Sequence, residues 1–505
     1  MAKFLTQPLF IILLPFVFYL FRLSECAQYL SARTIGYDFL QFMSWILVVY
    51  FIVFYFFSKN ANALIICFIG ILIFLFFVDI KLSITHFAPL RIFGSYKLLI
   101  PTLTILCSLL YFLLKRFKNL TTYFYEYLNY LMLMLFLLQS GITLSHLLQP
   151  KPKAVQPLSF NKVVQEKLPN IYFILLDGYA GHMSLNEYFK YDNQNLKNFL
   201  RNQGYFVADT FFSNYDKTIV SMNSILNMQY INADEIKPWN EYAIYLKSFP
   251  SIRNNQLTNF LIENNYHIKN LSPFDIQTSY NEYCFKRINK KANFFYRSTL
   301  LRSLKNDFGW MLSTGIYIQD YFYHKWTLHL FHQNQDAIEQ TISYVKSKKH
   351  KRSFVYTHLL LPHEPYFTDS IGNIIYKSYT ANPQTEAGYL AYLKYANTQI
   401  KKLSDSICHW DSEAVTVFLS DHGYREYPNK LSSLPFNNLM AIKFPNKDYK
   451  QVEKVKSNVN LFRTILNQFF SQSLPLINDS LIQVSLTDTT INQKSIQETY
   501  PAFMK

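Results

Sequence analysis

Apolar residues crowd the first 150 positions in long, nearly uncharged stretches, whereas Lys, Asp, Glu and Asn spread through the remainder. A hydrocarbon layer about 30 Å thick requires a helix of roughly 17–25 apolar residues, because unpaired backbone polar groups are not tolerated there. Five segments qualify: 4–21 between Lys3 and Arg22, 39–58 between Asp38 and Lys59, 60–78 ending at Asp79, 98–114 between Lys97 and Lys115, and 127–150 between Glu126 and Lys151. The pattern predicts a five-helix transmembrane region over residues 1–150, with Tyr and Phe near several ends as interfacial belts. A signal peptide is the alternative for the first segment, since Lys3 precedes an apolar core and Ser24 and Ala27 follow it. Four further spans favour an uncut helix. Glu25 before Cys26 argues against a lipoprotein cleavage site.

Orientation follows from the excess of positive residues in short loops. Lys3, Lys59 and Lys115-Arg116-Lys118 favour a cytoplasmic N-terminus, while Arg22, Arg33, Lys81, Arg91 and Lys97 oppose it, so the count is nearly even. An odd number of spans places the chain ends on opposite sides. An N-terminus inside puts the C-terminal region outside a cytoplasmic (inner) membrane. Pro150, Pro152 and Pro157 interrupt the last helix and mark a semi-rigid linker over 151–167, with the folded domain over 168–505.

In that domain the pattern changes. Residues 171–176 form an apolar run rich in β-formers, broken by Asp177-Gly178; residues 414–419 repeat it and end in Ser420-Asp421-His422-Gly423. Residues 353–358 read as a third core strand. Short continuous apolar runs of this kind fit buried strands of a mainly parallel sheet flanked by helices. Ligands gather beyond the carboxyl ends of such strands, so Asp177, Asp421 and His422 can meet at one edge. Two carboxylates and an imidazole suit zinc or manganese with a coordination position left open. A lone Asp-Gly after a strand is ordinarily a turn; two such strand ends, one carrying Asp-His, shift the balance. Between them, Met222, Ile225 and Leu226 define one helical face and put Thr218 near the helix start. Taken alone, Thr218 reads as a helix cap. Beside a cation and the helix dipole, its hydroxyl becomes a candidate nucleophile.

These motifs resemble those of the alkaline phosphatase and sulfatase superfamily, in its membrane-anchored branch of lipoteichoic acid synthases and phosphoethanolamine transferases. The resemblance rests on Pro169-Asn170 before the first strand, Asn214-Tyr215-x-x-Thr218, Pro362-His363-Glu364-Pro365-Tyr366 and Ser420-Asp421-His422-Gly423, in that order. It implies five membrane helices followed by an extracytoplasmic α/β domain, and one divalent ion, manganese or zinc, on Asp177, Thr218, Asp421 and His422, with Thr218 the nucleophile. It also implies that His363 contacts the substrate phosphate, which makes it a catalytic candidate for stabilising the transition state or protonating the leaving group. His358 ranks below His363 as a substrate-binding residue, its alternative being a buried strand histidine satisfied by backbone groups. Asp177 stands where many relatives have Glu, a shorter arm that bears on metal preference. Asp405 and His409 have the spacing of a second metal site but fall in an amphipathic helix over 389–407, where exposed polar residues are expected.

Charge and composition narrow the function. A formal net charge of +16 is scattered, with no dense basic run interleaved with aromatic platforms, which argues against nucleic acid and for an anionic lipid surface. The five cysteines, Cys26, Cys67, Cys107, Cys284 and Cys408, form no C-x-x-C pair. Cys284 and Cys408 can pair only if the fold brings them together. The Thr218-Ile219-Val220-Ser221-Met222 segment lacks the Cys/Ser-x-Pro-x-Arg setting of formylglycine sulfatases. No phosphate loop or dinucleotide fingerprint occurs. The expectation is transfer of a phosphoglycerol or phosphoethanolamine head group from a membrane phospholipid to an envelope glycan or glycolipid, through a phospho-threonine. The alternatives are a phosphodiester or phosphomonoester hydrolase of the same superfamily and an inactive envelope scaffold.

Overall fold

The computed structural model describes residues 7–25, 27, 32–58, 60–149, 156–231, 241–277, 299–301, 303–304, 316–347, 352–375, 385–427, 433–484 and 491–495. The chain divides into two compact units, residues 1–152 with 285–314 and residues 153–284 with 315–505.

The first unit is helical: α1 (Leu9–Ser24), α2 (Ala32–Phe57), α3 (Ala61–Leu75), α4 (Phe77–His86), α5 (Tyr96–Arg116) and α6 (Lys118–Leu148). Among the described residues, three helical stretches are long and apolar enough to cross a bilayer, Ile35–Phe57, Tyr96–Arg116 and Thr121–Leu148. Three of the five expected segments are matched in this way. The 60–78 segment is not one straight helix, because α3 and α4 meet at a 70° bend; together they are long and apolar enough for a broken span or a re-entrant loop. Helix α1 has 16 residues, about 24 Å at 1.5 Å per residue, and falls short of the hydrocarbon thickness. One face of it is buried, at Phe10, Leu14 and Phe18, while Ile12 and Phe21 are exposed. Helix α6 meets its polar ends, where Asn129 Oδ1 accepts from Phe10 N at 3.1 Å and Thr143 donates to Leu20 O at 3.0 Å. Phe51, Tyr55, Ile105 and Leu137 instead present exposed apolar faces, which suits lipid contact.

The second unit is an α/β domain. Its strands are β1 (Ile171–Leu176), β2 (Phe206–Val207), β3 (His267–Leu271), β4 (Ser353–Leu359), β5 (Val415–Ser420), β6 (Met440–Lys443), β7 (Ser480–Val484) and β8 (Ile491–Ser495). Its helices are α7 (His182–Glu187), α8 (Gln194–Asn202), α9 (Thr218–Asn227), α10 (Glu241–Arg253), α11 (Gln256–Glu263), α12 (Ile316–Ser347), α13 (Glu386–Trp410) and α14 (Asn458–Phe469). The six-stranded sheet runs β2-β6-β5-β1-β4-β3, and β7-β8 form a separate hairpin. The sheet is mixed. Pairings β3–β4, β4–β1 and β1–β5 are parallel, whereas β6 is antiparallel to both β5 and β2.

The three central strands are buried along their whole length, which is why each reads as an unbroken apolar run. On β1, Tyr172, Ile174 and Leu176 join the core that includes Leu393, Ala396, Ile400 and Leu403 of α13. Phe173 points the other way, and its ring meets Phe462 of α14 edge-on at 5.1 Å. The period-2 alternation thus gives the sheet a helical layer on each face. Residues 156–167 lie along this unit, Asn161 N donating to Gln472 Oε1 at 2.7 Å and Gln472 returning a bond to Asn161 O at 3.0 Å. Cys408 is a free thiol; Cys284 lies outside the described residues.

Candidate active site

Strands β1 and β5 end side by side, with Leu176 opposite Ser420, so the next residues emerge together at one sheet edge. Asp177 N still donates to Leu359 O at 2.9 Å. The chain then turns at Gly178, whose φ of +73° favours glycine, and Gly178 N donates to Asp421 Oδ1 at 3.1 Å. Tyr389 of α13 secures this turn, donating to Gly178 O at 2.9 Å and accepting from Ala180 N at 2.8 Å. Ser221 of α9 donates to Asp421 O at 2.6 Å, and Asn458 of α14 donates to Ser420 O at 3.0 Å. Gly423 is held by close approach: a Cβ there would lie 2.2 Å from Asn437 O.

Three donors converge on one point. Ligand atoms of Asp177, Asp421 and His422, all buried, lie within 4.8 Å of one another. His422 Nδ1 lies 2.7 Å from Gly423 O, a carbonyl that can only accept, so the proton sits on Nδ1 and Nε2 turns a lone pair inward. Nε2 is 3.4 Å from Asp177 Oδ1 and 3.3 Å from Asp421 Oδ2. Both carboxylate oxygens are buried and make no hydrogen bond among the described residues. Two anionic oxygens and an imidazole lone pair facing one another repel unless a cation lies between them. The set fits a divalent ion that accepts oxygen and nitrogen donors.

Histidines surround Asp177. Burial pushes its carboxyl pKa up, but His363, His358 and His422, when their rings carry the protons in place of a cation, outweigh that and hold it well below the ordinary range. His358 Nε2 stands 3.4 Å from Asp177 Oδ2, while its Nδ1 lies 2.9 Å from the Tyr356 hydroxyl. Burial and then the Asp421 and Asp177 charges push the Tyr356 pKa up, so the phenol stays protonated and donates to His358. His358 is therefore a buried strand histidine satisfied by side chains, not by backbone groups.

Thr218 is the first residue of α9, and Lys217 occupies the cap position without a side-chain capping bond. The Thr218 hydroxyl lies 3.3 Å from His422 Nε2. His363 Nε2 lies 3.9 Å from Asp177 Oδ1 and accepts from Arg425 Nη2 at 3.0 Å. Its Nδ1 donates to Glu364 O at 2.6 Å. All six residues singled out from sequence, Asp177, Thr218, His358, His363, Asp421 and His422, thus stand at this one edge. Asp405 faces away, exposed and bonded to Gln203 at 2.8 Å.

The Sulfatase family model matches residues 169–469, more than half of the chain. The chain belongs to the sulfatase family. Its second unit carries most of the matched residues and is a sulfatase-like enzyme domain. Similar solved structures include the C-terminal periplasmic domain of EcEptC from Escherichia coli (13% identity, 70% of this chain and 99% of that chain, TM-score 0.43). The corresponding domain of the phosphoethanolamine transferase EptC from Campylobacter jejuni gives 14% identity over 61% of this chain and 91% of that chain, TM-score 0.35. An alkaline phosphatase superfamily protein from Vibrio parahaemolyticus gives 12% over 66% and 77%, TM-score 0.39. The comparison with curated proteins gave no match.

Sequence reading missed several residues of this sulfatase-family site. Arg425, three positions after His422, is the basic group nearest that motif. Tyr356 precedes His358 by two residues and so shares its strand face, and Ser221 follows Thr218 by one helical turn. Those spacings are visible in the sequence; their partners are not.

Proposed function

We propose that the chain is a membrane-anchored phosphotransferase that moves a phosphorylated head group of the phosphoglycerol or phosphoethanolamine type from a phospholipid to an envelope glycan or glycolipid. The observation that carries this reading is the Thr218 hydroxyl, at a helix N-terminus and 3.3 Å from the inward Nε2 of His422, beside two unbonded buried carboxylate oxygens. A divalent ion, manganese or zinc, held by Asp177, Asp421, His422 and Thr218, supplies positive charge that lowers the hydroxyl pKa and neutralises phosphate oxygens.

Thr218 Oγ1, its proton lost to solvent, attacks phosphorus as the bond to the diacylglycerol oxygen breaks, leaving a phospho-threonine. His363 and Arg425, 3.0 Å apart, form the cationic edge that faces phosphate oxygens, and His363, once protonated at Nε2, gives that proton to the departing alkoxide. An acceptor hydroxyl then gives its proton to His363 Nε2 and attacks phosphorus, and the bond to Thr218 Oγ1 breaks. The apolar helices of the first unit hold the enzyme where its lipid donor resides, and the catalytic unit works on the extracytoplasmic side of the cytoplasmic membrane. Thr in place of the Cys/Ser-x-Pro-x-Arg setting supports phosphoryl rather than sulfuryl chemistry.

The test is release of labelled diacylglycerol from tail-labelled phospholipids by the full chain in detergent. The reading expects release that requires divalent metal and is lost in Thr218→Ala. Metal-loaded protein that releases none from any phospholipid overturns it. Recovery of the head group on glycan rather than in water separates transfer from hydrolysis.

A further inference from the structure

The segment that leads into Thr218 runs beside β7. Ile482 N donates to Asn214 O at 2.8 Å, and Tyr215 and Ile482 pair in parallel. The Asn214 side chain is held on both sides, its Nδ2 donating to Ser457 Oγ at 2.9 Å and Ser480 O at 3.1 Å, its Oδ1 accepting from Val459 N at 2.8 Å. A parallel ladder in this register takes its next donor two residues on, which would send Val484 N to the backbone carbonyl of Asp216. It goes elsewhere. Val484 N donates to Asp216 Oδ1 at 2.9 Å, so the carboxylate stands in for its own carbonyl.

This exchange lets the chain leave the strand at once: Lys217 is an extended cap residue (φ −123°, ψ 128°), and Thr218 is the first residue of α9. It also leaves Asp216 O to turn toward the phosphate-facing edge, where it accepts from Arg425 Nη1 at 3.5 Å. Arg425 Nη2 donates to His363 Nε2 at 3.0 Å, so acceptors on two segments hold the guanidinium, one of them two residues before Thr218. Asp216 and Val484 are 7% and 3% exposed, and an unpaired amide there would be costly. The second carboxylate oxygen lies 3.9 Å from Lys217 Nζ, beyond hydrogen-bond range.

We propose that Asp216 is a positioning residue: by taking the Val484 amide on its side chain it releases its carbonyl to orient Arg425, and so sets the guanidinium relative to Thr218. The role needs an acceptor oxygen rather than a charge. The assignment rests on the phosphate-facing edge of the proposed function and brings β7 into the support of that edge.

Binding of inorganic phosphate to the full chain in detergent, loaded with manganese and freed of excess metal, reads the placement of Arg425 without turnover. Asp216→Ala is expected to weaken phosphate binding about tenfold, with manganese affinity unchanged as the sign of an intact centre. Asp216→Asn keeps Oδ1 and should stay within about twofold of the parent. Arg425→Ala weakens phosphate binding by itself, and adding Asp216→Ala should cost no more than about twofold further, because both act through one contact. A merely structural role gives additive losses instead. Additive losses, an Asp216→Asn variant as weak as Asp216→Ala, lost manganese affinity in Asp216→Ala, or a manganese-loaded parent that binds no phosphate would each overturn the assignment. Coupling in the phosphate titration without diacylglycerol release from any phospholipid sinks the head-group reading and leaves Asp216 its role; release with additive variants sinks the positioning role alone.

Discussion

The Nδ1–H of His422 donates to the carbonyl of Gly423 at 2.7 Å, and this bond sets which imidazole nitrogen faces Asp177 and Asp421. With Nε2 deprotonated, the centre is a nest of lone pairs. A cation should stabilise it strongly. At free manganese or zinc a hundredfold above Kd, mass action gives about 2.7 kcal/mol, read as a rise in thermal midpoint that a chelator reverses. Asp421→Asn removes one buried charge and should abolish that rise.

Gly423 itself admits no side chain. A Cβ would meet Asn437 O at 2.2 Å, and backbone cannot swing aside as a side chain does. Gly423→Ala should cost about 1–3 kcal/mol and displace His422, measured by denaturant unfolding and metal titration. Gly141 of α6 has nothing within 4 Å of a built Cβ, so Gly141→Ala should be neutral or slightly stabilising in the same assay.

Tyr356 reaches the converging donors through His358. Its hydroxyl holds His358 Nδ1 at 2.9 Å, and so directs Nε2 toward Asp177. Tyr356→Phe should lower metal affinity about tenfold to a hundredfold while leaving the fold intact, as read by calorimetric titration with manganese.

Much of this site was legible because it sits at the ends of strands buried on both faces. Such strands show as short apolar runs, and the polar residues that end them, Asp177-Gly178 and Ser420-Asp421-His422, stand out against them. Thr218 was legible for a similar reason, at the start of an apolar helical face. Other features depend on residues distant in the chain. Arg425 meets His363 across 62 positions, and Val484 meets Asp216 across 268. The membrane helices show the limit of hydropathy: α3 and α4 sum to one apolar stretch, and composition does not reveal a 70° change of axis. Strands β2 and β6, two and four residues long, are too short for alternation to mark them, which hid the antiparallel side of the sheet.

Lys197 and Arg201 donate to Asp209 Oδ1 at 2.5 and 3.1 Å, and the Lys197 bond first among the causes holds the Asp209 pKa below its ordinary 3.8. A depressed carboxyl pKa contributes stability above that ordinary value and loses it as pH falls through the folded-state value. The thermal midpoint of Asp209→Asn should therefore lie slightly below the parent at neutral pH, and the gap should close as pH falls below 3.8. Asp209 is largely exposed, so the gap should also shrink in high salt.

Arg425→Ala removes the guanidinium from His363 Nε2 and from the proposed phosphate edge. Diacylglycerol release should fall about a hundredfold in kcat/KM with metal binding unchanged, because the hydrogen bonds of Arg425 among the described residues go to His363 Nε2 and Asp216 O and to none of the three converging donors.

The most direct test of the account is the intact mass of acid-quenched full-length protein after brief exposure to manganese or zinc and a mixture of phospholipids. The account predicts an added phosphorylated head-group mass that maps to Thr218, disappears on metal removal and is absent in Thr218→Ala. Metal-loaded protein that turns lipid over while Thr218 stays unmodified, or carries the adduct on another residue, would contradict it.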